Sequence, residues 1–368
     1  MIERGNYFAV LAYIEYCKNA MQCSPKTAKR KWGHLRHLLE WADDTDFANI
    51  LARMDSFPSY LLSSRNDGKK KRLSTATMKR SCGEARRFFY WARTQHPLKY
   101  RKIIPTWIET IRPARANSID SEIQQREYYS LEEVRMLCSF NPISLTDKRD
   151  RAATALTFLS GIRVGALVSL PIKCVDIENL EVHQLPAEGV QTKNTKAAIT
   201  FLLPIDDLLM VVREWHEVVI GELGPSGLWY PNLSTDGMEW STRDNIGDVD
   251  SRRQSFARGL KRFCSRIGIS YKSPHKLRNG HAIYGIKHVK TIKEFKAFSQ
   301  NMMHESMEIT DRLYGQLAHD DVRKAIMELT NNNEGISTED QKLYSEFVAF
   351  RNWMEKSNSS NKPNDTLQ

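Results

Sequence analysis

Long apolar runs are missing from this 368-residue sequence. The stretch 208–212 is among the longest, far below the roughly 18 residues that a membrane-spanning helix needs. The first residues include Glu3 and Arg4 and lack the apolar core of a secretory signal. We therefore expect neither a membrane partner nor a secretory leader.

Paired cysteines and the common metal and phosphate motifs are also absent. The six cysteines are widely spaced with no C-x-x-C pair, which argues against a zinc ribbon and favours a reducing compartment. No Walker-type glycine loop, H-E-x-x-H or G-x-G-x-x-G occurs, and we expect neither a metal nor an organic cofactor. Carboxylates are plentiful, so their number alone does not exclude a three-acid nuclease site. Their spacing, however, does not indicate such a site.

Basic residues are in excess and are unevenly distributed. The chain has 54 Lys and Arg against 44 Asp and Glu, a net charge of +10. Residues 1–115 hold 23 basic and 10 acidic side chains, whereas the remaining residues hold 31 and 34. The whole positive excess thus lies in the first third of the chain. This distribution favours a basic N-terminal domain that contacts nucleic-acid phosphates.

Two stretches in this basic third match each other at an offset of 50 residues. Residues 24–42 and 74–92 each begin with a serine N-cap, continue with a basic half and end with an apolar half. They are either a duplicated unit or two amphipathic helices of similar length, and both alternatives give a compact bundle. A lysine-rich run at 69–72 precedes the second helix and also fits a solvated loop. The basic residues that we expect to contact DNA are Lys29, Arg30, Lys69, Lys70, Lys71, Arg72, Lys79, Arg80, Arg86 and Arg87.

The length predicts two domains joined by a basic, polar linker. The expected divisions, in chain order, are a helical DNA-binding domain at 1–112, a linker at 113–127, a mostly helical second domain at 128–335, a last helix at 336–356 and a disordered tail at 357–368. The last helix either folds back on its own domain or docks on a neighbouring copy.

The second domain combines helices with a short β region. It opens with the capping box Ser130-Leu131-Glu132-Glu133, and helices are expected at about 147–160 and 208–219. Strand signals run through 180–203, with a turn at Asn194-Thr195. The expected fold class is mainly α with one small antiparallel sheet.

Six residues of the second domain could do chemistry: Arg163, Lys193, His275, Arg278, His304 and Tyr314. Arg163 lies in an apolar, glycine-bounded segment, and Lys193 begins a turn. His275 and Arg278 share one helical face beside a helix N-terminus, which attracts anions. Taken singly, each also fits an ordinary role, such as a buried ion pair, a turn lysine or a core tyrosine.

The order of the set closely resembles the tyrosine recombinase (phage integrase) family over most of the chain. Ser160-Gly161-Ile162-Arg163 is similar to its T-G-x-R box, and Pro274-His275-Lys276-Leu277-Arg278 to its H-x-L-R box. Thr192-Lys193-Asn194-Thr195-Lys196 resembles the hairpin with the family's lysine. His304 is similar to the second histidine, which would donate a hydrogen bond to the phosphate, and Tyr314 to the nucleophile. Each box alone is weak, whereas their common order is specific.

The resemblance implies a helical core-binding (SAM-like) domain, a catalytic domain and a division of chemical roles. Tyr314 would attack phosphorus and hold a 3′-phosphotyrosine. Arg163 and Arg278 would bind the nonbridging oxygens. Lys193 would protonate the departing 5′-oxygen, and His275 would assist proton transfer at the tyrosine. These cations would supply the positive charge that a metal provides elsewhere.

The sequence departs from the family pattern at a few positions. The acid that the family often carries three residues after its first arginine is Ala166 here. Lys193 and Lys196 both fit the lysine role, and we favour Lys193 because it precedes the turn. Arg278 and His304 are slightly far apart, which suggests a longer connection between them. No core catalytic group is lost, so we expect an active enzyme.

The first hypothesis is a site-specific recombinase that integrates or excises a mobile element as a homotetramer on double-stranded DNA. It would be cytoplasmic and nucleoid-associated, with accessory DNA-bending or directionality factors possible as partners. Resolution of chromosome or plasmid dimers is the second role. A type IB topoisomerase-like relaxing enzyme and a catalytically silent DNA-binding protein are the alternatives from other classes.

Overall fold

The computed structural model describes residues 1–62, 73–113, 127–234, 237–240 and 248–303. The chain divides into two compact units, Met1–Gln124 (unit 1) and Gln125–Gln368 (unit 2). Most of the linker expected at 113–127, and all of the helix and tail expected from residue 336, lie outside the described residues. The domain bounds given above therefore stay predictions.

Unit 1 is helical in all of its described regular structure. Its elements are α1 (Arg4–Asn19), α2 (Pro25–Ala42), a 3-10 segment (Phe47–Ala52), α3 (Phe57–Leu62), α4 (Thr75–Gln95) and α5 (Pro105–Thr110). α1 packs on both α2 and α4, which also pack on each other. The aromatic rings of Tyr13, Phe47 and Phe88 are buried where these elements meet.

The two matching helices begin in the same way. The Ser24 hydroxyl accepts a hydrogen bond from the Thr27 amide at 3.3 Å, and the Ser74 hydroxyl accepts one from the Thr77 amide at 3.2 Å. Each serine satisfies an amide that has no partner within the helix. The helix starts expected from the sequence are confirmed, and the offset of 50 residues is kept.

Unit 2 is built around one central helix. Its helices are α6 (Leu131–Ser139), α7 (Leu145–Ser160), α8 (Val164–Leu167), α9 (Asp206–Leu223), α10 (Val249–Ile267), α11 (His275–His288) and α12 (Ile292–Asn301). α7 is buried from Ala152 to Ser160 and is contacted by α6, α9, α10 and α11. The expected capping box is present, because Ser130 and Glu133 exchange side-chain-to-amide hydrogen bonds at 3.2 and 2.9 Å. α12 occupies much of the wide interval between Arg278 and His304.

Three short strands form an antiparallel sheet in the order β1 (Val175–Asp176), β2 (Glu181–Gln184) and β3 (Ala198–Phe201). Val182 lies opposite Val175 on one side and Thr200 on the other. The mainly α class with one small antiparallel sheet is confirmed. The connection between β2 and β3 is longer than the turn expected at 194–195, because Pro186 opens a 3-10 segment and Gly189 adopts a φ of +86°. None of the described helices has the length and apolar character needed to cross a bilayer.

The packing of α11 gives a first stability prediction. A Cβ added at Gly280 would overlap the carbonyl oxygen of Tyr129 and lie 3.1 Å from the Phe158 ring. We expect Gly280→Ala to lower the free energy of unfolding by about 1–3 kcal/mol, because α11 and the backbone at Tyr129 cannot move apart freely. Urea unfolding of the purified protein measures this loss.

Gly221 in α9 is the matched control, since nothing lies within 4 Å of a Cβ placed there. Gly221→Ala should leave stability unchanged or raise it by up to about 1 kcal/mol, because alanine favours the helix. Equal effects of the two substitutions would contradict this account of the α11 packing.

Candidate active site and DNA interface

Gly161 ends α7 in a conformation that few other residues tolerate. Its φ is +61°, in the left-handed region, and it terminates the helix as its C-cap. A Cβ at this position would lie 2.7 Å from Cδ2 of His281 and 2.8 Å from Sδ of Met302. The backbone turn and the close packing both require glycine, and together they fix the path of the chain into Arg163.

Arg163 is the N-cap of the one-turn helix α8 and is half-buried. Its carbonyl accepts hydrogen bonds from the amides of Ala166 at 2.8 Å and Leu167 at 3.0 Å. The backbone beneath the guanidinium is thereby rigid. Ala166 is fully buried in the core of unit 2, so position 166 places no carboxylate beside the arginine.

Arg278 joins three elements through its guanidinium. The side chain is 3% exposed and extends from α11 to the end of α7, where Nη1 donates a hydrogen bond to the carbonyl of Gly161. Nη2 donates to the carbonyl of Met302, at the end of α12, at 2.6 Å. A charge this deeply buried is stable only when its donors are bound. Arg278 is therefore bonded to the same turn of the chain from which Arg163 follows two residues later.

His275 is the first residue of α11 and lies within the electrostatic field of both arginines. Its pKa is lowered from the ordinary value, first by loss of solvent around the imidazole and then by the charges of Arg278, Arg163 and Lys276. The residue keeps exposed surface, so other molecules can reach the ring. A neutral, accessible imidazole beside two cations can accept a proton at neutral pH.

Lys193 lies in the connection between β2 and β3. It begins a 3-10 segment, Lys193–Thr195, in which Asn194 has a φ of +58°. Both Lys193 and Lys196 are exposed. The described contacts do not bring either amine against Arg163 or Arg278, so the choice between the two lysines stays a prediction.

His304 and Tyr314 lie outside the described residues. The structure does fix the chain that leads to them, since Met302 is fully buried and its carbonyl is bound by Arg278. Asn301 is attached to β3, because its Oδ1 accepts from the Phe201 amide at 2.6 Å and its Nδ2 donates to the Phe201 carbonyl at 3.0 Å. The segment before His304 is therefore held at the position of the arginine pair.

Two arginines of α10 contribute to the site and were not identified from the sequence. Arg252 is 4% exposed and donates from Nε to the carbonyl of Val168, at the end of α8, at 2.7 Å. The Arg253 guanidinium occupies the space that a Cβ of Gly165 would take. These side chains hold both ends of α8 and so position Arg163. Adjacent arginines in an amphipathic helix are common, so no pattern in the sequence distinguished these two.

His281 is a further residue of this region that was not predicted from the sequence. It is fully buried, its Nδ1 lies 2.7 Å from the carbonyl of Phe158, and its ring stacks on Phe298. Nε2 has no hydrogen-bond partner in the part of the chain that the structure describes. Burial lowers the pKa of His281 to about 4. In the sequence, only its position one helical turn after Arg278 could have indicated that His281 lies near the site.

The predicted DNA contacts of unit 1 divide into free and paired cations. In the described ranges, Lys29, Arg30, Lys79 and Arg80 are exposed and form no ion pair. Two further candidates are paired with acids: Arg86 lies 3.1 Å from Glu109, and Arg87 lies 3.0 Å from Glu84. The remaining candidates, Lys69, Lys70, Lys71 and Arg72, lie outside the described residues.

Comparison with known proteins agrees with this geometry. The model of the phage integrase family matches residues 128–321, more than half of the chain. The chain belongs to the phage integrase family. Members are tyrosine recombinases, which act as site-specific DNA recombinases, and this integrase is therefore an enzyme of that class.

Two curated relatives are tyrosine recombinases named XerC. The protein from Herpetosiphon aurantiacus is 23% identical over 257 residues, covering 68% of the integrase and 72% of the relative. The protein from Roseiflexus castenholzii is 25% identical over 173 residues, covering 47% and 48%.

Solved structures share the fold at low identity. A lambda integrase (75–356) dimer bound to a COC′ core site matches with a TM-score of 0.55 and 16% identity, covering 84% of this chain and 94% of that one. The Tn1549 transposon integrase (82–397) in complex with circular intermediate DNA matches with a TM-score of 0.54 and 15% identity, covering 86% and 98%.

The burial of His281 predicts how stability depends on pH. The unfolded chain protonates this histidine near its ordinary pKa of 6.5, whereas the folded integrase resists protonation until about pH 4. The contribution of the neutral His281 to the free energy of unfolding is therefore fully present above about pH 6.5, and it is lost progressively as the pH falls towards 4. Urea unfolding should show a loss from this group of about 2 kcal/mol between about pH 7 and pH 5.

His281→Gln should remove that part of the pH dependence, because glutamine does not titrate. His288→Gln is the control on the same helix, since His288 is exposed and the substitution should leave the dependence in place. A wild-type slope retained in His281→Gln would show that another group is responsible.

Proposed function

We propose that the integrase inserts or excises a mobile DNA element by exchanging strands through a covalent tyrosine intermediate. The observation that carries the proposal is the arginine pair, in which Arg278 is bonded to the carbonyl of Gly161 and Arg163 follows two residues later. Resolution of chromosome or plasmid dimers is the second candidate, and the likeness to two XerC recombinases supports it.

The arginine pair suits a phosphodiester in the transition state. Attack on phosphorus concentrates negative charge on the nonbridging oxygens, and fixed cations stabilise that charge without rearranging during the reaction. Arg278 is held by two carbonyls, and Arg163 rises from a rigid one-turn helix. In our proposal these guanidiniums bind the nonbridging oxygens, and His304 donates a further hydrogen bond to them.

Covalent attack needs a nucleophile and a route for its proton. Tyr314 is the proposed nucleophile, and the 3′-phosphotyrosine that it forms keeps the energy of the broken bond for rejoining. The lowered pKa of His275 supports a role as acceptor of the tyrosine proton. Lys193 would then protonate the 5′-oxygen that leaves, and its exposed position in the β2–β3 connection allows the amine to move to a bound strand.

DNA binding and assembly complete the proposal. The free cations of α2 and α4, namely Lys29, Arg30, Lys79 and Arg80, would contact duplex phosphates, and the candidates at 69–72 would add to them. Two sites would be joined by a homotetramer, with the helix expected at 336–356 docked on a neighbouring copy. Accessory DNA-bending or directionality factors and a nucleoid location belong to the same proposal.

A nicked suicide substrate that carries the recombination site tests the central step. The site is found first by sequencing the DNA that flanks the gene. Wild-type integrase should accumulate a covalent adduct, because the short strand released by cleavage diffuses away and prevents rejoining. Tyr314→Phe should form none, with the yield reduced by at least about 10³-fold because the nucleophilic oxygen is gone.

Tyr271→Phe is the matched control, since Tyr271 is an exposed tyrosine of the same unit. It should form the adduct at the wild-type level. No adduct with the wild type would favour a catalytically silent DNA-binding protein. An adduct that survives Tyr314→Phe would assign the nucleophile elsewhere.

A modified leaving group tests the choice of general acid. We expect Lys193→Ala to slow cleavage of ordinary DNA by about 10²–10⁴-fold, because the 5′-oxygen is a poor leaving group when unprotonated. A substrate with sulfur at the 5′-bridging position should restore the rate, since a thiolate leaves without a proton.

Lys196→Ala is the control, and it should be close to wild type on both substrates. Rescue of Lys196→Ala in place of Lys193→Ala would reverse the assignment. If sulfur rescued neither variant, the general acid would lie outside this connection.

A further inference from the structure

Each of the two matching helices of unit 1 has one glycine near its middle. Gly33 lies in α2 and Gly83 in α4, and the two occupy equivalent positions at the offset of 50 residues. Nothing lies within 4 Å of a Cβ placed on either glycine, and neither has a positive φ. Neither the packing nor the backbone of unit 1 therefore requires glycine at these positions.

Both glycines are on the outward face of their helix, with free cations beside them. In α2 the buried face carries Ala28, Leu35 and Leu38, on the side opposite Gly33. Lys29 and Arg30 precede this glycine by four and three residues, the spacing that places side chains together on a helix surface.

The same arrangement occurs on α4. Met78, Ala85 and Phe88 are on its buried face, and Lys79 and Arg80 precede Gly83 at the same spacing. Each helix thus presents an open glycine with two exposed cations one turn before it. These cations form no ion pair in the described ranges, so their charge is available to an anionic partner.

The contact between the helices shows that the two faces are equivalent in space as well as in sequence. Nζ of Lys31 lies 2.6 Å from Glu84, and Nδ1 of His34 lies 3.1 Å from the Ser81 hydroxyl. Adding 50 to 31 gives 81, and adding 50 to 34 gives 84, so each contact is the counterpart of the other with the helices exchanged. The helices are therefore paired with approximate local two-fold symmetry.

Glycine in the middle of a helix is unfavourable, because the unfolded chain loses more conformational freedom there than with alanine. Two such positions at equivalent places, with open space above both, have no structural benefit within unit 1. A benefit arises if another molecule must approach the helix backbone more closely than a methyl group allows. The free cations on each face indicate that this molecule is a polyanion.

We propose that Gly33 and Gly83 are binding-site residues at which the sugar–phosphate backbone of duplex DNA lies directly against α2 and α4. The adjacent cations bind the phosphates on either side of each close contact. This inference rests on the proposed DNA-binding role of unit 1, and it adds two positions that act through shape rather than charge.

Fluorescence anisotropy with a labelled random-sequence duplex at low salt tests the proposal, because this probe needs no recombination site. Gly33→Ala and Gly83→Ala should each weaken binding by about threefold to tenfold, because the added methyl group holds the sugar–phosphate backbone away from the helix while every cation keeps its phosphate. Both should raise the melting temperature by about 2–5 °C, because alanine favours the helix. The slope of affinity against salt should not change, since no cation is removed.

Two control variants distinguish a steric effect on duplex affinity from the loss of a charge and from a general effect of alanine substitution. Gly221→Ala removes an equally open helical glycine from unit 2 and should leave duplex affinity at the wild-type value. Lys29→Ala should weaken binding and also lower the salt slope by about 1, because one phosphate contact is lost.

Wild-type affinity in both Gly33→Ala and Gly83→Ala would overturn the proposal, and so would a lowered melting temperature, which would give the glycines a structural purpose. If only the glycine test fails while wild-type integrase binds the duplex and forms its covalent adduct, the proposed function survives without this inference. A wild type that binds no duplex would overturn both.

Discussion

The guanidinium of Arg278 connects the elements of the candidate active site. It bonds to the carbonyl of Gly161 at the end of α7 and to that of Met302 at the end of α12, while its own backbone lies in α11. A buried cation that lost these acceptors would pay a large desolvation cost, so the three chain segments cannot separate without destabilising the fold. The turn before Arg163 and the end of α12 are therefore held together by this one side chain.

Burial first, and then the positive charge of Arg278, lower the pKa values of the nearby histidines, His275 and His281. Neutral histidines add no repulsion to a site that already holds two guanidiniums. A site of this kind attracts a phosphate diester, whose single negative charge compensates the arginines. In our proposal, phosphate binding and catalysis thus depend on the same electrostatic arrangement.

Local signals in the sequence predicted the helices well, and tertiary contacts explain what they missed. Serine caps fixed the starts of α2 and α4, and the capping box at Ser130 fixed that of α6, because each depends on residues three apart. The need for glycine at position 161 depends on His281 and Met302, which are remote in the chain. The attachment of Asn301 to β3 and the clamp of α10 on α8 are likewise non-local. The residue types of the candidate site could be predicted from the sequence, whereas the non-local contacts that make the site rigid could not.

The uneven charge of the chain has a structural cause in unit 2. Arg262 and Arg266 each lie 3.0 Å from Asp147, and Arg149 lies 3.0 Å from Asp150, whose carboxylate also accepts a hydrogen bond from Tyr230 at 2.6 Å. Asp147 and Asp150 are almost completely buried, so arginines are needed to neutralise them inside the fold. These cations are unavailable for DNA. In unit 1, by contrast, Lys29, Arg30, Lys79 and Arg80 are exposed and form no ion pair in the described ranges. In our proposal, unit 1 therefore supplies the general attraction for DNA, and the arginine pair of unit 2 supplies the local phosphate chemistry.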